Sequence, residues 1–290
     1  MPRNPWYDKW YKILFIVPLT LTIFAIVYLG MFFSNTGDFM YKDTTLAGGT
    51  TITLHGDISQ DQINELQTNF PDLIVRKLAD VRSGKPIASI IETAVSPEEL
   101  QPELESVLGY NLTDDNSSVE FSGPTLGQGF YKQLIIALII AFILMSIVIF
   151  FLFRTIVPSL AIIFAAFSDI LIPLSIVNYF GIKLSAAGIS AFLMLIGYAV
   201  DTNILLTTRA IRNRENTLNE RIFRAFKTGI FMTGTAILAV LPAFFLITGL
   251  PDSFKQIFFI LILGLVADLS NTWLMNAGII KLYATKKEIR

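Results

Sequence analysis

Six stretches of this chain stay apolar far longer than a soluble helix requires: residues 12–33, 131–153, 156–180, 184–208, 228–249 and 255–283. Crossing about 30 Å of hydrocarbon takes roughly 20 helical residues, so each stretch is predicted to span a membrane. The first follows Lys9 and Lys12. It is too long for the apolar core of a cleavable signal and no small-residue cleavage site follows it, so it is predicted to be a retained span.

Between the first two spans the pattern changes. Residues 49–55 alternate, with Ile52 and Leu54 two apart, and predict a strand. Ser59, with Gln62 three residues on and Ile63 and Leu66 on one face, predicts a capped helix that ends near Phe70 and Pro71. Residues 73–81 and 86–94 predict paired strands around Arg82-Ser83-Gly84-Lys85. Ser96, Pro97, Glu98 and Glu99 open a second helix that stops at Gly109: a cap residue, a proline in the first turn, and acids at the positive helix end. Residues 118–121 predict a last strand. The order β-α-β-β-α-β is that of a ferredoxin-like split unit. The predicted fold is therefore an all-α six-helix membrane bundle with an inserted α+β ferredoxin-like domain. Its parts are 1–33 (N-terminus and first span), 34–128 (inserted domain), 129–283 (spans two to six) and 284–290 (tail). The fold alone says nothing of chemistry, and a packing or docking module is the default reading of the domain.

Charge sets the orientation. Arg3, Lys9 and Lys12 precede the first span, and Arg154 lies between the second and third. Arg209, Arg212, Arg214, Arg221, Arg224 and Lys227 crowd the fourth-to-fifth connection, and Lys281, Lys286, Lys287 and Arg290 follow the last. The opposite short loops hold only Lys183 and Lys255. Basic residues collect on the cytoplasmic side, so both termini are expected there, in a cell membrane, with the inserted domain outside. A net charge of −1 gives no field suited to nucleic acid. The chain has no cysteine and one histidine, His55, which excludes thiolate chemistry and leaves little for a metal site or a catalytic triad. It also lacks a P-loop lysine motif and a zinc-binding His-Glu-x-x-His, so neither an enzyme nor a bound cofactor is expected.

Three aspartates interrupt the apolar spans: Asp169 in the third, Asp201 in the fourth and Asp268 in the sixth. Each costs about 2.5–3.5 kcal/mol at a helix centre, so each is expected to face protein or water, with the third, fourth and sixth spans meeting at a polar centre. The first and second spans, uncharged in their middle, are the expected lipid-facing frame. Asp268, Asn271, Thr272, Met275 and Asn276 recur at three- and four-residue steps, a helical stripe. Asp201 and Arg209 are eight residues apart, which places them within about 80° on an ideal helix. Pro173 and Pro242 free backbone carbonyls in the third and fifth spans. Arg209 is the only base near these acids, and one guanidinium cannot neutralise three carboxylates. At least one is expected to hold a proton at rest, the basic part of a proton path. The bland alternative is that the acids are interhelical hydrogen-bonding groups that fix packing.

Several motifs, in order along nearly the whole chain, resemble the SecD/SecF family of protein-export membrane proteins. Ala47-Gly48-Gly49-Thr50 is similar to the family's D/E-F-x-G-G-T element, with Leu46 for the aromatic and the acid, Asp43, displaced. Ser122-Gly123-Pro124-Thr125-Leu126-Gly127 is similar to its V-G-P-x-x-G element. Gly197-Tyr198-Ala199-Val200-Asp201-Thr202-Asn203, followed by Thr207-Thr208-Arg209, is similar to its fourth-helix signature, and 264–273 has an archaeal look. The resemblance implies half of a resistance-nodulation-division transmembrane architecture. It implies work beside SecD and the Sec translocon channel subunits on an exported polypeptide, aided by proton-motive force. It matches Asp169 and Asp201 to the family's intramembrane polar sites and Arg209 to its arginine at the end of the fourth helix; with Asn203, Asp268, Asn271 and Thr272, read from the residues themselves, these make up the expected intramembrane polar path. Asn203 and Thr208 stand where relatives often carry acids, and Asp268 replaces a small polar residue, so the acids are rearranged. Two other readings remain: half of a small-molecule or lipid exporter of the same superfamily, and a non-transporting scaffold that holds SecD against the channel.

Overall fold

The computed structural model describes residues 5–79, 86–212, 216–246 and 252–287. The predicted turn at Arg82–Lys85, the last two residues of the strand before it, Arg3, Arg214, Arg290 and the end of the fifth span lie outside them.

The chain opens with α1 (Pro5–Leu14) and α2 (Ile16–Thr36), which together supply the first candidate span, Trp10–Thr36. The break between them has a local cause, since Pro18 has no N–H to give the carbonyl of Leu14. A short helix that the sequence reading did not foresee, α3 (Thr44–Ala47), follows, with Asp43 as its N-cap.

The inserted domain then comes in the expected order: β1 (Gly49–Leu54), α4 (Gln60–Asn69), β2 (Ile74–Ala79), β3 (Pro86–Thr93), α5 (Pro97–Leu108) and β4 (Ser117–Ser122). All three pairings are antiparallel and the sheet order is β2-β3-β1-β4, the ferredoxin-like arrangement. Ser59 and Gln62 form the reciprocal capping box, and Gly109 ends α5 in the left-handed conformation at φ 77°. Ile52, Leu54 and Ile91 of the sheet bury against Leu66 of α4 and Leu100 and Leu104 of α5. One face of the sheet thus has a core of its own.

Five further spans follow: α6 (Pro124–Phe153), α7 (Ile156–Tyr179), α8 (Ala186–Ile211), α9 (Leu218–Leu246), and α10 (Asp252–Ser270), which continues through a π-helical turn at Asn271–Asn276 into α11 (Ala277–Lys286). Two helices begin well before the predicted apolar boundary. Pro124 at the first helical position starts α6 seven residues early, and α9 begins in the basic stretch at Leu218. Backbone satisfaction, rather than apolarity, sets a helix end. Among the described residues, six helices are long and apolar enough to cross a membrane. α7, α8 and α10 pack on one another around Ile170, Leu174, Phe192, Leu195, Ile260 and Leu261, while α2, α6 and α9 lie around them.

Candidate functional site

The middle of the inner helices holds a buried polar cluster. Pro173 stands four residues after Asp169 in α7, so the Asp169 carbonyl loses its helical donor. Its side chain is fully buried. Asn271 Nδ2 donates to Asp169 Oδ1 at 2.7 Å, and Oδ2 has no hydrogen-bond partner. One helical turn before Asn271, Asp268 of α10 is 2% exposed and accepts from Thr202 Oγ1 of α8 at 2.9 Å and from Thr272 Oγ1 at 2.7 Å. Further along, Asn276 Nδ2 donates to Asn203 Oδ1 at 2.6 Å, while Asn203 Nδ2 donates to the Ala199 carbonyl. From Asp268 to Asn276 the polar side chains thus extend over about 12 Å of helix axis.

Three of these residues sit in or beside the π-turn, where the Ala277 N–H reaches back to the Thr272 carbonyl. A π-turn widens the helix by one residue, and such turns recur at functional sites because they re-aim side chains. No sequence signal announced it. Of the stripe read at 3.6-residue spacing, Asp268, Asn271, Thr272 and Asn276 lie in this cluster.

Among the described residues, no lysine or arginine lies within ion-pair distance of Asp169, Asp201 or Asp268. The structure thereby corrects the expected Asp201–Arg209 neighbourhood. Arg209 turns away to α9, where Nη1 donates to the Arg224 carbonyl and to Thr228 Oγ1, each at 2.9 Å. Asp201 does not join the cluster's hydrogen bonds either. It lies on the exposed stripe of α8 with Met194, Gly197 and Tyr198, and the space beside Gly197 is open. Of the three acids, two are brought together and the third points out of the chain.

The motif residues that flank the inserted domain are placed elsewhere, at its root. Gly48 (φ 89°) and Gly49 (φ 135°) adopt backbone conformations that side-chain-bearing residues rarely take, and a Cβ on Gly48 would overlap the Pro124 backbone. A Cβ on Gly127 would meet Gly48 N at 2.8 Å. Thr50 Oγ1 donates to the Val95 carbonyl at 2.6 Å, and Gly123 is the N-cap of α6. These residues let the strand and the second span touch backbone to backbone, a structural role distinct from the polar cluster.

Sequence reasoning missed a second set of polar contacts beside this root. Asp43 Oδ1 accepts from Thr45 N at 3.0 Å and Thr45 Oγ1 at 2.6 Å, and Ser185 and Gln256 hydrogen-bond nearby. The Asp-Thr-Thr cap pattern was the available signal. Among the described residues, no three His, Cys, Asp or Glu converge as a metal site. The cluster's chemistry is that of two acids among neutral amides and hydroxyls.

Residues 105–286 match the family model described as protein export membrane protein SecD/SecF, C-terminal. The chain is 38% identical over 280 residues to the protein-export membrane protein SecF of Pyrococcus furiosus, covering 96% of this chain and 92% of that one. It is 35% identical over 271 residues to that of Methanolacinia petrolearia, covering 93% of each. Among solved structures, SecDF of Thermus thermophilus, a translocon-associated membrane protein, superposes with a TM-score of 0.76 at 15% identity. That likeness covers 98% of this chain but 39% of the SecDF chain, and it shows the shared fold.

Proposed function

This chain belongs to the SecD/SecF family of protein-export membrane proteins, and on that footing we propose that it acts beside SecD at the Sec translocon, using proton-motive force to help move an exported polypeptide. As an accessory subunit of Sec export it has its relatives' fold and length, and its buried acids supply the part that a proton would use. The observation that carries the proposal is the Asp169–Asp268 pair: two carboxyls at mid-span, almost fully buried, with no lysine or arginine among the described residues within ion-pair distance. Two bare charges in that setting are prohibitive, and a proton on one of them removes most of the cost. Asp169 Oδ2, which has no hydrogen-bond partner, is the oxygen open to it.

Asp201 supports the partnership with SecD. An acid on an exposed mid-span face, beside the open side of Gly197, suits a second helical half that offers a donor and can approach closely. Both termini are cytoplasmic in this reading, and the inserted domain is outside. The test is reconstitution with SecD and the translocon in vesicles carrying an imposed proton gradient, with protease-protected substrate as the readout. Asp169→Asn and Asp268→Asn should each remove the gradient-dependent part of transport and leave the rest. If both variants match wild type under the proton gradient, the scaffold reading replaces this one.

A further inference from the structure

We propose that the junction between the inserted sheet and the start of α8 is a proton-operated latch in which Asp43 takes the proton. The junction is built from polar bonds. Asp43 N donates to the Leu184 carbonyl at 3.0 Å, and Leu184 N donates to the Tyr41 carbonyl at 2.7 Å, a short bridge between the chain after α2 and the loop before α8. Ala186 N, at the first turn of α8, donates to Thr45 Oγ1 at 3.2 Å. That same hydroxyl gives its hydrogen to Asp43 Oδ1. Asp43 is thus linked through one threonine to the N-terminus of the helix that carries Thr202 and Asn203. It stands apart from the intramembrane acids, and the proposal does not depend on their role.

Asp43 is 8% exposed and lines a cavity of about 60 Å³ between the open face of the sheet and the helices. Charged groups from each neighbouring element face that space: Arg76 of β2, Glu92 of β3, Glu120 of β4 and Lys183 before α8, while α10 offers the neutral Gln256. None forms an ion pair with Asp43. Arg76 is engaged with Glu92 Oε1, and Glu92 Oε2 is buried without a partner. Lys42, next in sequence, pairs with Asp38 at 2.8 Å and lies over the Tyr131 ring of α6. The two hydrogen bonds from Thr45 both reach Oδ1, so a proton on Oδ2 leaves them undisturbed.

Burial pushes the Asp43 carboxyl up to about 6 from an ordinary 3.8, and the negative charge of Glu92 adds to the rise against the pull of the Thr45 bonds. The sign follows from linkage. A group held above its ordinary value favours the docked arrangement at low pH and loses that contribution as pH rises through about 6. The ratio of docked to released junction should fall by roughly 50-fold between pH 4 and pH 7.

The experiment is hydrogen–deuterium exchange on the full chain in lipid nanodiscs between pH 4.5 and 7.5 (about three decades of intrinsic exchange, compensated by labelling time). Peptides covering 41–47 and 182–188 report the crossing amides, and peptides of α4 serve as the control. Wild type should lose protection at the junction through about pH 6 while α4 does not. Asp43→Asn, which keeps an acceptor but cannot ionise, should stay protected throughout, and Glu92→Gln should keep a pH-dependent transition. A flat wild-type profile overturns the proposal. So does an Asp43→Asn variant that retains the wild-type transition, or a transition that Glu92→Gln alone abolishes. If Asp43→Asn does not fold, the wild-type and Glu92→Gln profiles decide between the same outcomes.

Discussion

The inner helices α7, α8 and α10 and the outer pair α2 and α6 are all apolar enough to span a membrane, yet they rank opposite to the helices of a soluble protein. Over an 18-residue apolar stretch of each, the most hydrophobic, α6, with a mean hydropathy of 3.3, has 6% of its residues buried, while α8, at 1.7, has 50%. α7 and the sixth span, at 2.4 and 1.9, are 61% and 50% buried. In water, apolarity drives a helix inside. In lipid it gives no preference, and what must be hidden is the unpaired polar group. α9 tests the rule from the other side, because it is only 11% buried at a hydropathy of 1.8. Two of its three hydroxyls bear on the exception: Thr228 Oγ1 donates to the Arg224 carbonyl and Thr235 Oγ1 to the Met232 carbonyl, both within their own helix, while Thr233 is buried.

The largest effect should come from moving an inner feature outward. Ile143 is 51% exposed on α6, and Ile143→Asp should cost about 2.5–3.5 kcal/mol of insertion, read as the inserted fraction of a glycosylation reporter. If that acid inserts as readily as isoleucine, the inner and outer helices do not differ as argued. Next comes the root of the inserted domain, where Gly48→Ala meets both a positive φ and the Pro124 backbone. A loss of about 1–3 kcal/mol is expected, seen as a lowered thermal midpoint of the full chain in detergent. The smallest effect should fall on Ser146 of α6, whose Oγ donates to its own Phe142 carbonyl at 2.8 Å. Ser146→Ala should change stability by less than about 0.5 kcal/mol in the same assay.

Much of this was legible along the chain because it is local. Apolar length marked the six spans, and Ser59, Gln62, Pro97 and Gly109 marked the ends of α4 and α5. The stripe from Asp268 to Asn276 needed nothing beyond helical spacing. What the sequence did not reveal depends on neighbours. An ideal helix puts Arg209 within 80° of Asp201, but which way the long side chain bends is decided by the Arg224 carbonyl and Thr228, contacts from α9. Asp201 and Thr202 are adjacent in sequence and point about 100° apart, so one is exposed and the other reaches Asp268. Short α3 and the buried Asp43 arise where loop, sheet and α8 meet; the Asp-Thr-Thr pattern marks the cap but not the neighbours that bury it.

The central claim is that the Asp169–Asp268 pair shares a proton within the bundle. Infrared difference spectroscopy of the full chain in lipid at pH 8, above the range where Asp43 titrates, tests it most directly. The account predicts a carbonyl band from a protonated carboxylic acid that is lost or shifted in both Asp169→Asn and Asp268→Asn and unchanged in Asp43→Asn. A wild-type spectrum with no such band, or one indifferent to both substitutions, would contradict it.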